Sequence, residues 1–147
     1  MTADGKANGA VVPPFVHLDV QSTYSALASP SSPDDYVRAL VAQHPLDRMV
    51  EGTPRSAIAL ADTGLHAAVK MAVACAREQV DHLLGLRVRV APTRAYRPWG
   101  EQPGELILLA MDETGWLNLV ALNNLGHLAG SDRAGPRVDW QDLARHA

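Results

Sequence analysis

The sequence predicts an α/β fold built on a mostly parallel sheet with flanking helices. Short runs of aliphatic and β-branched residues alternate along the chain with longer stretches whose apolar residues recur at helical spacing. Such alternation favours parallel strands joined by right-handed crossovers. The supply of core residues agrees: 47% of the 147 residues are hydrophobic but only 5% are aromatic, so the core is aliphatic. A single domain of this length buries roughly 70% of the surface its unfolded chain exposes.

The elements follow in order. Residues 1–12 are small and polar and read as a disordered arm, with one domain over 13–147. Phe15-Val16-His17-Leu18-Asp19-Val20 lies between Pro13-Pro14 and a Ser/Thr-rich stretch, and reads as a buried first strand. Ser32 is placed to cap a helix beginning at Pro33, with Asp34 and Asp35 favourable in its first turn. Tyr36, Val37, Leu40 and Val41 fall at helical spacing, and Pro45 limits the helix. Residues 44–55, with two prolines and a glycine, form an irregular loop.

Ser56 to Ala61 is a second strand, Asp62-Thr63-Gly64 a turn, and Leu65 to Glu78 a helix with Ala68, Met71, Ala72 and Cys75 on one face. Leu83 to Val90 is a third strand. The Pro/Gly-rich residues 92–104 are a loop, Glu105 to Ala110 a fourth strand and Gly115 to Leu128 a helix. The tail carries a Gly-Pro turn and one helical turn around Trp140 to Arg145.

Charge and cysteine content narrow the function classes. A net charge of -3 argues against a surface that coats nucleic acid. Cys75 is the single cysteine, so no internal disulfide forms, and a reducing, cytoplasmic setting is expected. Met1 to Ala10 does not resemble a signal peptide, and no run approaches the roughly 18 apolar residues of a membrane helix.

In α/β architectures functional groups collect at the carboxyl ends of strands. Asp19 and Asp62 stand at such ends and are candidate oxygen ligands for a divalent cation. The plainer role for Asp62 is to open a turn and cap the following helix. His17, His44, His66, His82, His127 and His146 include no compact metal-binding spacing. His17 within its apolar strand reads as a hydrogen-bonded core residue, His66 and His127 as surface or cap residues, and Cys75 as a small core residue. Arg87, Arg89, Arg94 and Arg97, interleaved with Tyr96 and Trp99, are a local basic cluster able to contact nucleic acid. The alternative is a solvated loop whose aromatic residues pack back on the domain.

Six segments, in order, resemble the PHP (polymerase and histidinol phosphatase) domains carried by bacterial replicative polymerases, the DNA polymerase III alpha subunits. Residues 15–27 read FVHLDVQSTYSAL, where that family has a strand of the form F-V-H-L-H-V-H-S-x-Y-S-x-L. Residues 57–63 (AIALADT) are similar to a strand ending A-L-T-D-H, and 67–75 (AAVKMAVAC) to the helix G-A-V-K-F-x-x-A-C. Residues 82–92 (HLLGLRVRVAP) resemble I-K-P-I-x-G-x-E-x-Y-V-A-P, and 106–119 (LILLAMDETGWLNL) resemble L-V-L-L-A-x-x-x-x-G-Y-x-N-L. Residues 135–146 (GPRVDWQDLARH) are similar to K-P-R-V-D-x-x-x-L-x-x-H.

The resemblance implies a distorted β/α barrel, of which this chain covers about the first half, and divalent metals that serve phosphoester hydrolysis. The family's first two histidine ligands fall on Asp19 and Gln21, with His17 just before them. Its second-motif aspartate is Asp62, the histidine beside it is Thr63, and its third-motif glutamate is Arg87. Gln21, Thr63 and Arg87 are thus positions at which a ligand is lost, and Arg87 brings a positive charge to a cation site. The residual metal candidates are Asp19, Asp62 and His17. The expected function is a non-catalytic module with a scaffold or interaction role in DNA replication or repair, without a cofactor. The alternative is a phosphoesterase or proofreading exonuclease using Mn²⁺, Zn²⁺ or Mg²⁺ at Asp19 and Asp62. Expected partners are a DNA polymerase, or a second copy covering the sheet edge that an unclosed barrel leaves open.

Overall fold

The computed structural model describes residues 15–43, 56–94, 104–131 and 135–146. The order is β1 (His17–Val20), α1 (Pro33–Gln43), β2 (Ala57–Asp62), α2 (Ala68–Arg77), β3 (Asp81–Ala91), β4 (Gly104–Leu109), α3 (Glu113–Ala129), β5 (Val138–Asp139) and α4 (Trp140–Arg145). The expected arm over 1–12 and the loop over 44–55 lie outside the described residues.

The sheet runs β1-β2-β3-β4, with β5 paired to β3. β1, β2, β3 and β5 pair in parallel, and β4 turns back antiparallel to β3. The result is a curled, mostly parallel half-barrel with flanking helices, the architecture that the alternation of elements predicts.

Local chemistry places the helices. Ser32 Oγ accepts from the Asp35 N–H at 3.3 Å while the Asp35 carboxylate accepts from the Ser32 N–H at 2.9 Å, a reciprocal cap that starts α1 at Pro33. α2 begins at Ala68 rather than Leu65 and has no side-chain cap. It ends in a 6→1 bond from Val80 N–H to Cys75 C=O at 3.0 Å, with Gln79 at φ 54°. α3 is capped by Asp112, whose carboxylate accepts from Gly115 N–H at 2.8 Å. Among the described residues no helix is long and apolar enough to cross a membrane.

The helix-facing side of the sheet is the core. Val37, Leu40, Met71, Ala74 and Cys75 pack on Ile58 and Leu60 of β2, and Leu119 and Leu122 of α3 on Leu86, Val88 and Val90 of β3. β2 is buried from Ile58 to Asp62, as a strand covered on both faces must be. The first strand corrects the expectation of a buried one. Among the described residues β1 is the sheet's edge, shorter than the apolar run, and within it only Val20 is buried. An edge strand has a neighbour on one side alone, so its apolar composition does not secure cover. His17 is correspondingly exposed, its ring edge-on to Phe15 at 4.8 Å, and is not a core histidine.

Candidate functional site

The site forms where β1, β2 and β3 end, and begins with Asp62. Alternation along β2 puts Asp62 on the side of Ile58 and Leu60, and it is 1% exposed. The loop after β1 folds over it. Ser22 donates its backbone N–H at 2.7 Å to Asp62 Oδ1 and its hydroxyl at 2.6 Å to Oδ2, and the Ser25 hydroxyl donates at 2.6 Å to Oδ1. Ser25 Oγ in turn accepts from Thr63 N–H at 2.9 Å, and Tyr36 donates to the Gln21 carbonyl at 3.0 Å. Both carboxylate oxygens are therefore engaged by the serine loop. Asp62 does not cap α2, as the plainer sequence reading expects; it ties the end of β2 to the loop after β1. Neither serine was singled out from the sequence. The signal available was Ser22-Thr23-Tyr24-Ser25 directly after the first strand, with spacing that lets two hydroxyls meet one carboxylate.

On the opposite face of the sheet, Asp19 meets Arg87. The guanidinium of Arg87 spans from β3 over β2, where Ala59 and Ala61 of β2 and Gly85 of β3 are small and buried, and donates through Nη2 to Asp19. Its Nη1 donates to Glu105 of β4 at 3.2 Å. The Arg87 side chain is 16% exposed, against 50% for Asp19 and 52% for Glu105. The hydrogen bond and charge of Asp19, with Glu105 behind it, raise the Arg87 pKa further and outweigh partial burial. The Arg87 Nε is buried and has no acceptor among the described residues.

Asp19 and Asp62, paired as candidates by the sequence, thus have separate partners: Asp19 has Arg87, and Asp62 has Ser22 and Ser25. Among the described residues no group of three or more His, Cys, Asp or Glu side chains is gathered to hold a metal ion. Cys75 is fully buried beside the Met71 sulfur at 3.6 Å, and burial, with the charge of Asp81, pushes its thiol up to about 11. It is a core residue, as expected.

The basic cluster divides. Arg94 turns to the C-terminal segment, its Nε 3.1 Å from Asp142 and 3.7 Å from Asp139. The guanidinium of Arg137 donates to the Arg94 carbonyl at 2.7 Å. Arg89 donates to the Gly135 carbonyl at 3.5 Å. Arg97 and Trp99 lie outside the described residues.

A second feature is a gap in the sheet. One edge of β3 pairs with β2 as far as Leu86 and with β5 from Val90, so Arg87–Arg89 face neither strand there. A pocket of about 270 Å³ opens beside this gap, lined among others by Thr63, His66, Arg87, Arg89, Glu105 and His127. His66 and His127 are exposed, as expected.

A parallel half-barrel carrying polar groups at its strand ends defines an α/β barrel class. The particular family follows from comparison with known proteins: the PHP domain profile matches residues 17–147, and the chain belongs to the PHP family. It is 33% identical over 138 residues to the DNA polymerase III subunit alpha of Treponema pallidum (strain Nichols), covering 90% of this chain and 11% of that protein. It is 31% identical over 150 residues to the error-prone DNA polymerase of Mycolicibacterium paratuberculosis, covering 98% of this chain and 12% of that protein. The DNA polymerase III subunit alpha of Borreliella burgdorferi is 28% identical over 138 residues, with 90% of this chain covered. The chain thus resembles the N-terminal part of these polymerases and spans about a tenth of their length.

Proposed function

We propose that this chain is a non-catalytic PHP-like module with a scaffold or interaction role in DNA replication or repair. The observation that carries the reading is Arg87 standing between Asp19 and Glu105. A guanidinium is permanently charged. Two like unit charges at about 4 Å repel by about 4 kcal/mol at an effective dielectric of about 20, and a divalent ion doubles that. Metal binding at Asp19 would first have to break its ion pair. Asp62 supports the same reading, because a cation there would have to displace serine donors that close the loop after β1. The residues present therefore suit an ion-paired, hydrogen-bonded strand end better than a metal cluster, and no hydrolytic step is built on them.

For an interaction role, the support is β4. Among the described residues it is the last strand of the sheet path, and Leu106 and Ile107 on it are exposed. An open strand edge with apolar side chains is a template for another chain. A polymerase chain or a second copy of this one is the partner this reading expects.

The test is hydrolysis of a chromogenic phosphate monoester and of single-stranded DNA, with Mn²⁺, Zn²⁺ or Mg²⁺ added. No turnover above buffer is expected. Metal-dependent turnover that disappears in Asp19→Ala would replace this reading with the phosphoesterase one.

A further inference from the structure

β4 has an outer edge with which no described residue pairs, although its side chains are those of an inner strand. Leu106-Ile107-Leu108-Leu109 is apolar on both faces, the composition of a strand covered on both sides. Yet Leu106 and Ile107 are each 37% exposed. Proteins guard an open edge with a lysine, a proline or a bulge. Glu105 to Ala110 holds neither residue, and the register of β4 on β3 is unbroken. A groove of about 470 Å³ lies beside this edge, with Ile107, Leu108 and Leu109 on one side and Leu119 and Leu122 of α3 on the other. It shares no lining residue with the pocket beside the gap in the sheet.

The main chain fixes how a further strand would join. Ala110 donates its N–H across to the Leu84 carbonyl at 2.9 Å. Main-chain groups alternate in direction along an antiparallel strand, so Leu106 and Leu108 also turn theirs to β3, and Glu105, Ile107 and Leu109 turn theirs outward. A two-fold axis through Ile107, perpendicular to the sheet, sets Ile107 opposite itself, Glu105 opposite Leu109 and Leu106 opposite Leu108. Every outward N–H and C=O of one copy then meets its counterpart in the other. Leu106 of each copy enters the groove of the other beside Leu108. Charge is compatible with this register. Glu105, the one charge on β4, faces an apolar residue and is held by Arg87 of its own copy at 3.2 Å. Strand geometry puts the two Glu105 residues about 14 Å apart, beyond the Debye length of about 8 Å. The groove and Met111 on its wall, 98% exposed, add to what the strand edge buries, toward the about 800 Å² per partner of a stable dimer.

We propose that β4 pairs antiparallel with β4 of a second copy of this chain about a two-fold axis at Ile107, joining two half-barrel sheets into one. The contact is isologous and closes on itself. The proposal rests on the interaction role given above and names its partner.

The test is sedimentation velocity of the full chain over a range of concentrations. A reversible rise from 15.7 kDa to twice that mass is expected. Ile107→Pro removes an outward N–H and spares the bonds to β3, so it should weaken self-association by about thirtyfold, the scale of the two hydrogen bonds lost across the axis. Ile107→Lys and Ile107→Glu each set like charges directly opposite and should leave monomers, and mixing these two variants in equal amounts should restore the dimer. Circular dichroism and melting temperature establish that each variant is folded. A dimer indifferent to all three substitutions overturns the proposal, as does a mixture of the Lys and Glu variants that stays monomeric. A chain monomeric at every concentration overturns it too, even one that takes up a polymerase chain at this edge. The non-catalytic reading is untouched by that result, because phosphoester turnover alone decides it.

Discussion

At the scale of single residues, the molecule turns on two side chains that the resemblance to PHP domains marks and whose partners it does not. Asp62 is legible as a strand-end carboxylate, and Arg87 as a cation where the family has a glutamate. That Asp62 meets Ser22 and Ser25, and Arg87 meets Asp19 and Glu105, depends on which segments the fold juxtaposes, 40 residues apart for Ser22 and Asp62. Composition and periodicity carry no such information. The serine loop makes a prediction. Asp62→Ala leaves Ser22 and Ser25 without their acceptor in a buried place and should lower stability by about 2–4 kcal/mol, read by urea unfolding. Ser25→Ala should cost about 1 kcal/mol in the same measurement. Equal and negligible losses would show that the three hydrogen bonds do not hold the end of β2.

At the scale of elements, what is local in origin was legible and what is tertiary was not. The cap at Ser32 and Asp35 is local chemistry, and α1 starts where it says. The Asp35 carboxyl is held below its ordinary range by the hydrogen bonds of Ser32, which outweigh the opposition of desolvation, with a smaller contribution from the charge of Arg38. The first strand misleads because an apolar, β-branched run specifies extended backbone, whereas cover depends on a neighbour that an edge strand lacks. The two-residue β5 is too short to have a period of its own. Element ends also shifted by one to three residues, as fraying and unrecognised caps would produce. The end of α2 yields a second prediction. Gln79 sits at φ 54°, in the left-handed position that closes the helix and is usually glycine, and Val80 beyond it packs in the same core cluster as Cys75. Gln79→Gly should therefore raise stability by about 0.5–1 kcal/mol in thermal or urea unfolding, since relief of the left-handed strain exceeds the entropy glycine loses. A loss of stability would mean that the Gln79 side chain makes contacts that outweigh its backbone.

At the scale of the whole molecule, the fold class was legible from the alternation of elements, while the way the chain's last described segment locks onto the rest was not. Gly130 approaches the Arg137 carbonyl so closely that a Cβ there would lie 1.9 Å from the oxygen, so α3 can meet the lead-in to β5 only with glycine at this point. Beyond it, Asp139 and Asp142 cap α4 reciprocally and hold Arg94. Burial works against the Asp139 carboxylate. The backbone N–H groups of Asp142 and Arg94 and the charge of Arg94 outweigh it, and hold the carboxyl below its ordinary 3.8. Its contribution to stability is full above that value and is lost as pH falls through the lower, folded-state pKa. The melting temperature should accordingly fall on acidification below about pH 4, and Asp139→Asn should be less stable at neutral pH while losing less on acidification. Parallel pH profiles for the two proteins would contradict this account of the C-terminal lock.

The central claim is that the strand-end carboxylates serve protein partners: Asp19 serves Arg87, and Asp62 serves Ser22 and Ser25. Its most direct test is the metal content of the purified chain by elemental analysis, together with its melting temperature in Mn²⁺, Zn²⁺ and Mg²⁺. A ligand that binds the folded state must raise that temperature. The account predicts no stoichiometric metal and no shift with any of the three ions. Stoichiometric metal, with a shift that disappears in both Asp19→Ala and Asp62→Ala, would contradict it.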